Sequence, residues 1–224
     1  LRPKVQDASL KTYHYFAAGR WHEPASGHWI DSENPATGEV WARIPDCNEE
    51  DVHRAVKAAR CCYDEGTWGR MQAAERGRLL TRIGDVIAKN AERLGEVETR
   101  DNGKLPKNIT PSLKSWQTES FYYYAGMCDK FEGSLLPTEV PDMLNYLRWE
   151  PFGVCALITA WNSPLGVLIC KLAPALAAGN AVVIKPSEHA SASTLELMAV
   201  LEEADLPDGL LNVVTGFGKT TGES

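Results

Sequence analysis

Three polar side chains stand where apolar runs of this chain stop: Asn162 follows the run 154–159, and Lys185 with Glu188 follows 181–184. An asparagine amide carries two N–H donors and no charge. At a strand end it can stabilise negative charge developing on a carbonyl oxygen without transferring a proton. The same residue suits the cap of a helix opened by Pro164. Lys185 and Glu188 pair a donor with an acceptor that can grip the vicinal hydroxyls of a ribose, and a carboxylate there repels a 2′-phosphate. They equally suit a solvated loop with a surface ion pair.

The elements around these residues decide whether they meet. Run 154–159, VCALIT, is apolar without alternation, which predicts a strand buried on both faces of a parallel sheet. Segment 164–178 reads as a helix stopped by Gly179, apolar nearly all round and therefore buried. A second strand at 181–184, a helix at 191–204 and a third strand at 211–214 complete a β-α-β-α-β order. This predicts an α/β fold with a parallel sheet, whose ligands bind outside the carboxyl ends of the strands. Asn162 and Lys185 both fall there.

Upstream, 13–44 reads as short strands or hairpins packed on the surface of the main lobe. Asn48 with Asp51 opens a helix whose apolar face is Val52, Ala55, Val56 and Ala59. One long helix over 73–99 points Leu79, Leu80, Ile83, Ile87 and Leu94 inward and leaves Glu75, Arg78, Arg82 and Glu92 solvated, with Gly103 stopping the chain behind it. A helix over 111–130 carries Trp116 and the aromatics of 121–124, expected in the core. Segments 133–137 and 144–149 form a hairpin; a lone ribbon is marginal in water, so a partner surface is expected. The end of the chain, from Gly216 through Gly218 to Gly222, follows a strand, but its G-x-G-x-x-x-G spacing is one residue longer than the dinucleotide fingerprint.

Composition narrows the partners. A formal charge of −7 over 224 residues leaves no basic face for nucleic acid. The longest apolar stretch is broken by Asn162, Pro164, Lys171 and Pro174, which speaks against a membrane span. Of six cysteines, Cys155 and Cys170 lie in apolar elements and Cys61, Cys62 and Cys128 at helix ends; none has a histidine spaced to activate it or to share a metal. Cysteines without a disulfide framework point to a reducing cytoplasm.

The wording AWNSP followed by KLAPALAAGNAVVIKPSE resembles the aldehyde dehydrogenase superfamily, as do NPATGE from Asn34, ETRDNGK at 98–104 and YYAGMCDKFEG at 123–133. Ala160 stands where that family commonly has proline. The resemblance implies a Rossmann-like parallel sheet with flanking helices and a projecting oligomerisation hairpin. It divides the chain into the amino-terminal part of an NAD-binding domain at 1–131, the hairpin at 132–150 and the βαβαβ part at 151–224. Asn162 would be the oxyanion-stabilising amide. Thr159, Ala160 and Trp161 would line the cofactor cleft, with Lys185, Ser187 and Glu188 at the adenosine ribose and Gly218 with Lys219 on the adenine side. NAD is expected over NADP because Glu188 opposes a 2′-phosphate. A homodimer or homotetramer is expected, with Trp116, Gln117 and Phe121 as candidates for an aldehyde-tunnel wall.

The family's reaction needs a cysteine thiolate that forms a thiohemiacetal and then a thioester, and a glutamate that activates water. In the family both follow the point matching Ser224, so the expected reading is the amino-terminal part of an NAD-dependent aldehyde dehydrogenase, inactive by itself. The alternatives are a non-catalytic nucleotide-binding or subunit-interaction fragment, or a coenzyme A-acylating relative.

Overall fold

The computed structural model describes residues 10–224. Five short strands come first: β1 (Lys11–Thr12), β2 (Tyr15–Ala17), β3 (Arg20–His22), β4 (Trp29–Asn34) and β5 (Glu39–Pro45). Next is α1 (Glu49–Asp64), opened by the expected capping box: Asn48 Oδ1 accepts from the Asp51 N–H while the Asp51 carboxylate accepts from the Asn48 N–H. Its buried stripe is Val52, Ala55, Ala59 and Cys62; Val56 is exposed, which corrects its place on the inner face.

The expected long helix is two, α2 (Ala73–Lys89) and α3 (Ala91–Asn102). Asn90 separates them: its backbone leaves helical geometry, with φ −101° and ψ 15°, while its N–H and its side-chain Nδ2 both donate to the Val86 carbonyl. The five inward residues are all buried. Gly103 ends α3 with φ 76°, in the left-handed region.

Helix α4 (Pro106–Ser112) starts five residues before the expected position, with Pro106 in its first turn and Pro111 inside it. A π-type segment, Leu113–Gln117, follows and contains non-helical backbone at Ser115; α5 (Thr118–Met127) then resumes. The expected core placement of the aromatic cluster is met only in part. Phe121 is fully buried and Tyr124 is half-buried against the core, whereas Trp116, Tyr122 and Tyr123 are exposed. The hairpin strands β6 (Ser134–Leu136) and β7 (Asn145–Leu147) pair antiparallel, and every residue from 131 to 150 is exposed. The ribbon projects and does not fold back on its own lobe.

The chain then runs β8 (Val154–Ile158), α6 (Pro164–Ala177), β9 (Ala181–Lys185), α7 (Ala192–Leu201) and β10 (Leu211–Val213). The main sheet has the order β3-β2-β10-β9-β8, with β8, β9 and β10 parallel and β2 antiparallel to β10. Thus β2 and β3 extend this sheet, because Tyr15 and Ala17 bury completely against it; only β1, β5 and β4 form a separate sheet. The packing of all of 13–44 on the surface is corrected accordingly.

Central strand β9 is buried from Ala181 to Ile184, with α6 and α1 both packed against it. Within the described residues β8 is the edge of the sheet, and Leu157 is buried while Ala156 and Ile158 on the opposite face are exposed, so the expected burial on both faces is not met by these residues alone. Helix α6 likewise exposes Cys170 and Lys171, and Lys171 Nζ donates to the Ile158 carbonyl at 2.5 Å, so it is not buried all round. Among the described residues no helix is long and apolar enough to cross a membrane.

Candidate functional site

Parallel register places Ile158 beside Lys185 and Ile184 beside Val213, so β8, β9 and β10 finish at one level. The Thr159 N–H adds one more rung, donating to the Lys185 carbonyl at 3.1 Å. Thr159 is buried, and its hydroxyl Oγ1 is enclosed without a protein partner. Ala160, Trp161 and Asn162 then turn out to the surface before Pro164 opens α6. The cap of α6 is Ser163, not Asn162, and among the described residues no hydrogen bond engages the Asn162 amide. Its two donors are therefore available to a ligand.

A cleft of about 700 Å³ opens beside these strand ends, with Trp161, Glu188 and Phe217 on its wall. Lys185 is half-buried and donates to the Pro186 carbonyl at 3.0 Å. No ion pair joins it to Glu188 among the described residues, so the surface-pair reading of this loop is not what forms. Burial lowers the Lys185 pKa from its ordinary value, against the opposing pull of the Glu188 charge. Ser187 holds the turn after β9: its Oγ accepts from the His189 N–H, and its carbonyl accepts from Ser191 Oγ at 2.8 Å.

Gly218 and Lys219 lie exposed in the turn after β10 and outside the cleft wall, where Phe217 stands. That turn is fixed at Gly216, whose φ is 138°; a Cβ there would come 2.0 Å from Thr221 Oγ1. The Thr221 hydroxyl donates to the Cys47 carbonyl and the Thr215 hydroxyl to the Pro45 carbonyl, each at 2.6 Å. Both bonds staple the loop to the end of β5.

Three further polar residues lie at the end of α3: Asp101 on the cleft wall, with Glu98 and Lys104 close to it in the chain. Asp101 is buried and accepts from the Ser193 N–H at 2.8 Å and the Ser193 hydroxyl at 2.7 Å. Burial pushes its pKa up to about 6, although those bonds favour the charged form. Glu98 is 1% exposed, and its Oε2 is buried without a partner. Burial pushes its carboxyl up to about 7, with the Lys104 charge pulling the other way. Helical spacing from Leu94 could have flagged both: 94, 98 and 101 are i, i+4 and i+7 on one buried face.

A raised carboxyl pKa inverts the usual pH dependence. The unfolded chain releases the Glu98 proton near pH 4.5 and the folded chain near 7, so native protein holds more protons between them and loses stability as pH rises through that window. Glu98→Gln is expected to stabilise the purified protein by about 2 kcal/mol at pH 8 and to have little effect below pH 4.5. Urea midpoints at the two pH values measure this, and equal gains at both would refute it.

The cysteines offer no activated thiol in the core. Burial raises Cys47 to about 12 and Cys62 to about 11, and raises Cys128 and Cys155 above the ordinary thiol value. Cys61 and Cys170 are exposed.

Residues 21–224 match the sequence model of the aldehyde dehydrogenase family. The (Z)-2-((N-methylformamido)methylene)-5-hydroxybutyrolactone dehydrogenase of Acinetobacter baylyi is 42% identical over 213 residues, 95% of this chain and 43% of that protein. The mitochondrial aldehyde dehydrogenase of Homo sapiens is 41% identical over 209 residues, 92% of this chain and 40% of that protein. Among solved structures, aldehyde dehydrogenase from Bacillus cereus superposes with a TM-score of 0.91 at 37% identity, over 100% of this chain and 45% of that one. Betaine aldehyde dehydrogenase from Staphylococcus aureus in complex with NAD+ gives 0.89 at 33% identity, over 96% of this chain and 42% of that one. The chain thus spans less than half the length of these relatives. With a family match over nearly all its length and the same parallel-sheet fold, this chain belongs to the aldehyde dehydrogenase family.

Proposed function

We propose that this chain supplies the amino-terminal part of an NAD-dependent aldehyde dehydrogenase that oxidises an aldehyde to a carboxylic acid. The observation that carries the reading is the cleft beside the parallel strand ends, where Trp161 and Glu188 form walls while the neighbouring Asn162 amide has no partner among the described residues. NAD, when bound, accepts a hydride. The residues fit its adenosine half: Glu188 is an unpaired acceptor for ribose hydroxyls, Lys185 a nearby donor, and Thr159 Oγ1 an enclosed polar atom without a protein partner. Ala160 and Ser187 would shape the backbone beside them, and Gly218 with Lys219, outside the cleft wall, would approach the adenine side.

Asn162 polarises the carbonyl and stabilises the oxyanion as a cysteine thiolate attacks, giving a thiohemiacetal and, after hydride loss, a thioester for hydrolysis. Four cysteines have raised pKa values unsuited to that attack, and neither of the two exposed ones, Cys61 and Cys170, lines the cleft, which supports a nucleophile other than these six. Segments 1–131 and 151–224 form the cofactor-binding part in this reading. Hairpin 132–150 joins subunits in a homodimer or homotetramer, supported by its wholly exposed apolar residues, including Leu135, Leu144 and Tyr146. Six unpaired cysteines favour the reducing cytoplasm.

Isothermal titration of the complete protein with each cofactor tests the cleft assignment. NAD is expected to bind at least about tenfold more tightly than NADP, because Glu188 on the cleft wall would repel a 2′-phosphate. Glu188→Gln should narrow that gap. Tighter binding of NADP by the wild type would overturn the assignment.

A further inference from the structure

Lys104 sits in the loop between α3 and α4, remote in sequence from the Trp161–Asn162 turn, yet its Nζ donates to Ser163 Oγ at 3.0 Å. The contact is unusual for what it displaces. Ser163 is the cap residue of α6, and a serine there ordinarily turns its hydroxyl onto the N–H of the second or third helical residue, here Leu165 or Gly166. It makes no such bond, although its carbonyl accepts the first helical bond from the Val167 N–H at 2.8 Å. An ammonium beside a helix amino terminus also opposes the helix dipole. Helix capping by itself would have left Lys104 in water, so the observed arrangement holds the hydroxyl away from the cap.

Both ends of the contact are fixed. The Lys104 N–H donates to Asn102 Oδ1 at 2.9 Å, Asn102 Nδ2 donates to Glu98 Oε1 at 3.4 Å, and the turn itself passes through Gly103 in the left-handed region. Asp101, one residue before that amide, is tied to Ser193. On the other side, a Cβ on Gly166 would come 2.8 Å from Ser163 Oγ and 3.5 Å from the Trp116 ring, so the hydroxyl occupies space that only glycine leaves. Glu98 lies close enough for the Lys104 charge to favour its ionised form, but no ion pair joins the two among the described residues.

We infer that Lys104 is a positioning residue: by holding Ser163 Oγ it fixes the turn that presents the adjacent Asn162 amide to a carbonyl. This rests on the role proposed for Asn162. A mere counter-ion for Glu98 would have no need of Ser163, and that difference is measurable.

The test is a mutant cycle in the complete enzyme. Lys104→Met and Ser163→Ala should each lower kcat about tenfold with KM for NAD unchanged, as expected when a reacting group is misplaced but the cofactor is not. Lys104→Arg should restore most of kcat. The double variant should be no worse than either single one, since both break the same contact. An unchanged kcat in Lys104→Met, or a loss in Lys104→Met that is absent from Ser163→Ala, overturns the inference. Additive losses do the same. A crystal structure of Lys104→Met gives a readout independent of activity: Ser163 Oγ should swing onto the Leu165 or Gly166 N–H, and a hydroxyl that stays in place refutes the positioning role. If the wild type oxidises no aldehyde with NAD, the enzymatic reading fails instead, and the crystallographic arm still decides whether Lys104 sets the turn.

Discussion

Asn162→Ala in the complete enzyme is expected to lower kcat by about 100- to 1,000-fold, equivalent to about 3–4 kcal/mol of transition-state stabilisation, the loss found when one oxyanion donor is removed. The KM values should change far less, because a neutral amide binds the ground-state carbonyl weakly and the developing oxyanion strongly. Melting temperature should hardly move: the side chain is exposed and no intramolecular bond engages its amide among the described residues. Asn162→Asp should be at least as damaging, since its carboxylate would repel the charge the amide welcomes. Steady-state kinetics with both variants measure this. A wild-type kcat in Asn162→Ala would return the residue to a role in the turn alone.

The second large effect concerns stability. Glu196 of α7 is buried, and three residues converge on it: Lys11 Nζ at 2.5 Å, Tyr13 Oη at 2.9 Å, and Arg93 through Nε at 2.7 Å and a second guanidinium nitrogen at 2.6 Å. Burial alone would raise its pKa, but hydrogen bonds from Lys11, Tyr13 and Arg93 outweigh burial and hold the carboxyl below the ordinary glutamate value. Removing the centre of a buried charged cluster costs about 3–5 kcal/mol. Lys11 and Arg93 are half-exposed and can recover water, which discounts that cost below its lower end: Glu196→Ala should lose about 2–3 kcal/mol at pH 7. A depressed carboxyl pKa contributes stability above the unfolded value and loses it as pH falls through the folded one, so the deficit should shrink in acid below the ordinary glutamate range. Denaturant titrations at pH 7 and in acid measure both statements; a variant as stable as wild type at pH 7 would refute them.

Much of the fold was legible because local chemistry and tertiary packing agree. Asn48 and Asp51 close the capping box, Gly103 takes the left-handed turn, and the β-α-β-α-β order delivers Trp161 and Glu188 to one cleft. What escaped depended on neighbours far along the chain. The run at β8 reads as doubly buried, yet among the described residues it stands at the sheet edge, which no residue within it announces. Trp116 and Phe121 are both aromatic and close in sequence, but Trp116 lies in the irregular segment beside Ser115 and is exposed, while Phe121 lies on the buried side of α5. Lys104 was invisible as a site residue because a charged side chain is ordinarily solvated; only its contact with Ser163 at the α6 turn singles it out, whereas Glu98 shares the buried helical face of Leu94.

The hairpin of β6 and β7 carries its apolar side chains on both faces into solvent. Two strands of three residues cannot hold one another in water. If the hairpin joins subunits as proposed, protein concentration becomes a variable of the native state: dilution is expected to loosen the ribbon, and association to add to the apparent stability of each subunit.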